Sequence, residues 1–175
     1  TYLGSISDLD KWYGAKNDEL DLPMDMQVGF PPGQRPKLDA AYLRARINEA
    51  ETEIGGKMPL FVFDNHDNPR WDRYVTNDHK EDVGRVLATL LFASRDTAMM
   101  YYGDAIGMAT TPPTRKDEVK DPIGIRGWPK VKGRDGERTP MQWDAGKDAG
   151  FSTAAKTWLP IPPSYKTENV VAEEK

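Results

Sequence analysis

Residues 58–70 read MPLFVFDNHDNPR. The run Leu60-Phe61-Val62-Phe63 is bounded by Pro59 on one side and by Asp64-Asn65-His66-Asp67-Asn68-Pro69 on the other. Four consecutive large apolar residues between turn formers predict a strand buried on both faces, the environment of a parallel sheet. The polar cluster begins where that strand ends. In a parallel α/β barrel the C-terminal ends of the strands form the catalytic face, so chemistry is expected there. Asp64, His66, Asp67 and Arg70 place acids, an imidazole and a guanidinium close together. Taken alone the cluster reads first as an ordinary turn, because Asp, Asn and Pro are common turn formers.

Working outward, the preceding segment supplies a helix. Leu43, Ile47, Ala50 and Ile54 recur every three or four residues, an apolar stripe at helical period. Pro36 sits near its start, where a missing N–H does no harm. Gly55-Gly56 stops it. Before that helix, residues 20–29 (LDLPMDMQVG) read as a strand, with Pro23 marking an edge or a first residue. Asp25 within it either faces a site or is a satisfied strand Asp. Strand, helix, strand makes a βαβ unit with a right-handed crossover. At the N-terminus Ser5 and Asp8 have capping-box spacing. Ile6, Leu9, Trp12 and Tyr13 then share one helical face up to Gly14.

Downstream the same alternation continues. Asp78 and Glu81 form a second capping box, and Val83, Val86, Leu87, Leu90 and Leu91 point inward from the helix that follows. Residues 97–102 (TAMMYY) predict a third buried strand ending in Gly103-Asp104. The order α-β-α-β-α-β specifies an α/β fold with a parallel sheet. After Met108 periodicity vanishes. Residues 109–150 form a loop far longer than an ordinary connection, with Trp128, Met141 and Trp143 beside Arg126, Arg134 and Arg138. Aromatics with arginines predict an ordered binding loop, against the plainer reading of a solvated flap. The tail from Trp158 is rich in proline and is expected to end without a helix.

Composition narrows the function classes. The 175 residues are 38% hydrophobic and 30% charged, a globular rather than a disordered balance. A net charge of −4 with no basic block gives no footprint for nucleic acid or an anionic membrane. Absence of cysteine excludes disulfides and thiolate metal sites. No apolar run reaches spanning length and no signal peptide is visible, so a cytoplasmic location is the expectation.

Four segments, FDNHDNPR, YYGDAIGM, RTPMQWD and WLPIPPSYKTENVVAE, together resemble the α-amylase superfamily, glycoside hydrolase family 13. The likeness is to its α-glucosidase, oligo-1,6-glucosidase and trehalose synthase branch. The resemblance implies that the three strands are the sixth to eighth of a (β/α)8 TIM barrel. Residues 1–108 would be the C-terminal part of that barrel, and 109–175 an extended active-site loop and tail without a separate domain. It implies that Asp67 is the acid that stabilises the transition state. His66, Asn65 and Arg70 would line the sugar site, with Arg70 favouring the charged form of Asp67. Arg138 either salt-bridges within the loop or reaches an outer subsite. Trp143 either stacks on a sugar face or serves as a core Trp.

The resemblance implies that the family's nucleophilic Asp and general-acid Glu are expected to have no counterpart in the chain, since the Glu usually precedes a segment like Thr1-Tyr2-Leu3. Where the family usually has Gly-Glu-Glu-Ile-Gly-Met, this chain has Gly103-Asp104-Ala105-Ile106-Gly107-Met108. One carboxylate fewer is expected to weaken the anchoring of that loop. No cofactor and no complete metal site are implied. The expected activity is that of part of a retaining α-glucosidase-like hydrolase of small oligosaccharides. The alternative is an inactive fragment that only binds sugar or self-assembles. The expected partners are an α-glucoside oligosaccharide and either a second copy of the chain or the missing N-terminal barrel half, with no nucleic acid and no membrane.

Overall fold

The structure, a computed structural model, describes residues 5–30, 38–57, 59–75, 80–94 and 97–174. The elements that dominate its first part run in the order helix α1 (Ile6–Asp10), strand β1 (Met24–Asp25), helix α2 (Ala40–Glu53), strand β2 (Leu60–Phe61), helix α3 (Lys80–Ala93) and strand β3 (Thr97–Ala98). The three strands form one parallel sheet in the order β1-β2-β3. Met24 pairs with Leu60 and Asp25 with Phe61; Leu60 pairs in turn with Thr97 and Phe61 with Ala98. The alternation read from the sequence is therefore the alternation observed. Expectations at residues 31–33, at Pro36 and at the Asp78 cap fall outside the described residues.

The chain divides into two compact units, Thr1–Phe63 with Arg73–Met100, and Asp64–Asp72 with Tyr101–Lys175. The first holds the sheet. Ser5 caps α1, its hydroxyl accepting the Asp8 N–H at 3.2 Å, and Ile6 and Leu9 are buried. Asp39 caps α2, its carboxylate accepting the Tyr42 N–H at 2.8 Å. Leu43, Ala50 and Ile54 are buried along the predicted stripe, and α1 packs against both α2 and β1. On α3 the buried positions are Val83, Leu87 and Leu91. Full burial of side chains such as Phe61 contributes about 1.5–3 kcal/mol each.

The strands are much shorter than their apolar runs. In β1 the Asp25 carboxylate takes the Gln27 N–H at 2.8 Å, and Phe30 N–H bonds back to Met26, so the chain turns where a ladder would continue. Asp25 is buried and engaged in that turn. Beyond β2 the chain stays buried through Phe63, but side chains replace strand partners. The Tyr74 hydroxyl lies 2.7 Å from the Gly29 carbonyl and 2.9 Å from that of Phe63, and Arg73 donates to both. Gly29 permits this closure: a Cβ there would stand 2.3 Å from the Val62 carbonyl oxygen.

The third strand is not buried on both faces. Among the described residues it pairs only with β2, at the sheet edge, and Met99 is exposed. Trp12 and Val86, expected to face inward, are exposed too. Each is placed one residue from a better-buried position, Tyr13 and Leu87, that claims the core side of its turn.

The second unit is built of short helical turns and irregular chain. It contains α4 (Pro122–Gly127) and α5 (Val170–Glu173). The tail thus ends in a helical turn, against expectation, because Asn169 supplies a cap: its side chain accepts the Ala172 N–H at 3.0 Å. Gln142 of the RTPMQWD segment is fully buried and clasps the tail. Its amide donates to the Glu168 carbonyl, its side-chain oxygen meets the Ser164 hydroxyl at 3.2 Å, and its own carbonyl accepts the Val170 N–H at 3.0 Å.

Candidate functional site

The site belongs wholly to the second unit and starts from a turn. The Asn65 side-chain oxygen accepts the Asp67 N–H at 2.9 Å and the Asn68 amide at 3.1 Å. Asn65 and Asn68 also form an isolated antiparallel bridge. Local side-chain hydrogen bonds of this kind are what Asn does best in a tight turn. The turn leaves the Asp67 side chain 47% exposed and brings the His66 Nε2 to 3.3 Å from Asp67 Oδ2.

Two guanidinium groups close on the other carboxylate oxygen. Arg134 Nη1 lies 2.7 Å from Asp67 Oδ1 and Arg138 Nη2 lies 3.0 Å from it. Arg138 Nε also donates to the His66 carbonyl at 2.7 Å. The carboxylate is thus held through Oδ1, while Oδ2 faces the imidazole. Arg134 is itself anchored by Asp121, whose Oδ2 accepts from Arg134 Nε at 2.9 Å and from the Arg134 backbone N–H at 2.7 Å. This guanidinium holds the Asp121 carboxyl well below the usual carboxylate range, and Asp121 in turn pushes Arg134 up.

Beneath the turn lies a second layer of charge. Arg70 is fully buried. Its Nη1 donates to the Tyr102 carbonyl at 2.5 Å and meets Asp104 Oδ1 at 3.3 Å, and its Nη2 donates to the Glu137 carbonyl at 3.1 Å. Its guanidinium lies 4.7 Å from the ring centroids of Tyr101 and of Tyr102. The next two residues continue the attachment. Trp71 donates its indole N–H to the Met108 carbonyl at 2.9 Å. Asp72 accepts the Thr110 N–H at 2.9 Å and its hydroxyl at 2.7 Å, and that hydroxyl accepts the Arg70 N–H at 2.8 Å.

Two acids in this layer are forced towards their neutral forms. Burial, then the neighbouring Asp64 carboxyl that hydrogen-bonds to it, raise Asp104 far above the carboxylate range, and Arg70 only partly offsets them. Burial pushes Glu137 up to about 7. Asp104 nevertheless ties down its loop, its Oδ2 accepting the Tyr101 N–H at 3.0 Å.

Residues 10–175 match the family model of the α-amylase catalytic domain. The chain belongs to the α-amylase family. Among curated relatives it is 33% identical over 197 residues to a glucan 1,6-α-glucosidase of Streptococcus pneumoniae, a match covering 95% of this chain and 36% of that protein. It is 41% identical over 166 residues to a probable α-glucosidase of Rhizobium meliloti, covering 93% of this chain and 29% of that one. The chain therefore spans about a third of the length of these α-amylase-family relatives. Among solved structures, an α-glucosyl transfer enzyme superposes with a TM-score of 0.82 at 26% identity, over 98% of this chain and 30% of its own. The trehalose-6-phosphate hydrolase of Bacillus licheniformis gives 0.78 at 27% identity, over 96% of this chain and 35% of its own.

Of the residues singled out from this α-amylase-family sequence, the structure brings Asn65, His66, Asp67 and Arg138 together. Arg70 is not among them. Its guanidinium is buried and committed to Tyr102, Asp104 and Glu137, so the cation beside Asp67 comes from Arg134 and Arg138 instead. Arg138 forms its ion pair outside the loop, with Asp67 on the turn, rather than within the loop. Trp143 is 49% exposed, which removes the reading as a core Trp. Asp121 carries no mark in the sequence, and Arg134 stands out there only together with Arg126 and Arg138 among the aromatics of the loop. The sole signal was the arginine content of the loop, which does not say which arginine folds back on the turn. Among the described residues no group of three or more His, Asp or Glu side chains is arranged to hold a metal ion, and no helix is long and apolar enough to cross a membrane.

Proposed function

We propose that the chain is strands six to eight of the (β/α)8 catalytic barrel of a retaining α-glucosidase-like hydrolase. Its substrates are α-glucosidic bonds of small oligosaccharides. Residues 1–108 are barrel and 109–175 an active-site loop and tail. The observation that carries this reading is the half-exposed Asp67 carboxylate, held through one oxygen by two guanidiniums with His66 beside the other. A carboxylate so held is preorganised to accept sugar hydroxyls and to favour positive charge on a distorted ring. Oδ2 is the oxygen that accepts them, with His66 donating to a neighbouring hydroxyl. Asn65 sets the turn, Arg138 keeps His66 and Asp67 in register, Arg70 fixes the base of the site, and Trp143 offers a ring face to a further sugar.

Retaining hydrolysis also needs a nucleophile and a general acid across the scissile bond, about 5–5.5 Å apart. Asp67 fills neither role, so both come from polypeptide outside residues 1–175. The names of the relatives, a glucan 1,6-α-glucosidase and a probable α-glucosidase, support the substrate class. The open edges of a three-stranded sheet support association with the complementary barrel half.

The test uses a chromogenic α-glucoside. The 175-residue chain alone is expected to give no turnover. Supplied with the N-terminal barrel half it is expected to gain activity, and Asp67→Ala to abolish it. Turnover by the chain alone, or complemented activity that survives Asp67→Ala, overturns the reading.

A further inference from the structure

Asp64 closes the apolar run and opens the turn that carries Asp67. It is buried, and its carboxyl is hydrogen-bonded to that of Asp104, on the loop after β3. An ionised carboxylate accepts hydrogen bonds and donates none. A hydrogen bond between two carboxyls therefore requires a proton on one of them. Charge balance leads to the same count. The guanidinium that meets the pair is that of fully buried Arg70, 3.3 Å from Asp104 Oδ1. Two ionised acids against this one cation would leave a net negative charge in a largely buried site, and one shared proton makes the cluster neutral.

Asp104 and Arg70 are fixed in place. Asp104 Oδ2 accepts the Tyr101 N–H at 3.0 Å, and Arg70 is committed to the Tyr102 and Glu137 carbonyls. Asp64 instead leads directly into the Asn65–Asn68 turn. When the proton passes to solvent base, two like charges face each other at hydrogen-bond distance, and Asp64 with the turn behind it is the part that yields. We propose that Asp64 and Asp104 share one proton, and that its release is an alkaline switch that unseats the turn presenting Asp67. The two acids are positioning residues that act through the turn, and the inference rests on the reading of Asp67 as the sugar-facing acid. Burial, then Asp64, raise Asp104, so the proton is held at neutral pH and lost on the alkaline side. Tyr101 and Tyr102 flank Arg70, and burial raises both phenols above their ordinary range, so they stay protonated there. Glu137, which burial pushes up to about 7, titrates alike with and without Asp64, and Arg138 stays charged throughout.

The test uses the full-length protein and methyl 1-thio-α-D-glucopyranoside, an uncharged α-glucoside that resists hydrolysis. Its dissociation constant is followed by NMR titration from pH about 6 to about 10, beside infrared difference spectra that report the carbonyl band of protonated carboxyls. The wild-type protein is expected to lose about tenfold in affinity across that interval, since one proton permits at most about tenfold per pH unit. Asp64→Asn keeps a donor to an ionised Asp104 and needs no proton. Its affinity, scaled to its own value at the acid end, is expected to stay within about twofold. Its infrared band is expected to be weaker than that of the wild type by one carboxyl. Coincident pH profiles in the two proteins, or equal infrared bands, overturn the proposal while leaving the role of Asp67 intact. Wild-type affinity in Asp67→Asn at the acid end overturns that underlying role, and the switch with it. Should Asp64→Asn fail to fold, Asp104→Asn also leaves one acid beside Arg70 and carries the same comparison.

Discussion

Glu137 offers a quantitative check on the layer that presents Arg138. The residue is 2% exposed, and burial pushes its carboxyl from 4.5 up to about 7. Its own backbone N–H, Arg138 and Arg70 pull it down, and Asp121 pushes it further up. Between those two values the folded protein keeps a proton that the unfolded chain has released. Stability from this group is therefore fullest below about 4.5, falls as pH rises, and levels off above about 7. Each pH unit in that interval is worth about 1.4 kcal/mol, so the whole fall is about 3 kcal/mol at most.

Glu137→Gln keeps the shape and the acceptor oxygen but cannot ionise. Urea unfolding of the full-length protein, followed by tryptophan fluorescence at pH values from about 4.5 to about 8, gives the comparison. The wild-type protein is expected to lose about 2–3 kcal/mol more than Glu137→Gln across that range. Any constant offset between the two, from the new amide needing a partner, does not enter the difference. Asp104 adds a slope of the same sign, but to both proteins alike. Parallel curves for the two proteins would show that Glu137 is ionised without cost in the folded state, and would refute the reasoning.

Two further outcomes follow from the buried layer. Arg70→Met is expected to destabilise by about 3–5 kcal/mol, because the Tyr102 and Glu137 carbonyls and Asp104 lose their shared donor in a buried site. A shift in the urea midpoint equivalent to less than about 1 kcal/mol would show that Arg70 is dispensable. Thr110→Val keeps the volume but removes a hydroxyl that donates to Asp72 and accepts from Arg70. A loss of about 1–3 kcal/mol is expected, read from the same unfolding curves.

The alternation of helices and strands was legible because it depends on local periodicity and on caps. Ser5 and the stripe through Leu43, Ala50 and Ile54 behave in the fold as their spacing predicts. The Asn65–Asn68 turn was legible for the same reason: its hydrogen bonds join residues adjacent in sequence. Strand length was not, since an apolar run does not reveal where Asp25, Tyr74 or Arg73 will take over the backbone groups of a ladder. Nor did it show that Thr97–Ala98 would lie at a sheet edge.

The sequence by itself thus determined the α/β order, the family and the polar turn with Asp67 at its tip. Only the tertiary structure decided which arginines serve that acid. Arg70, three residues away in the chain, turns inward to satisfy carbonyls, while Arg134 and Arg138 reach Asp67 across 67 and 71 residues. The physical reason is that a guanidinium pairs with whatever acceptor the packed chain sets within about 3 Å of it. Packing, unlike helical period, leaves no mark on the spacing of residues along the chain.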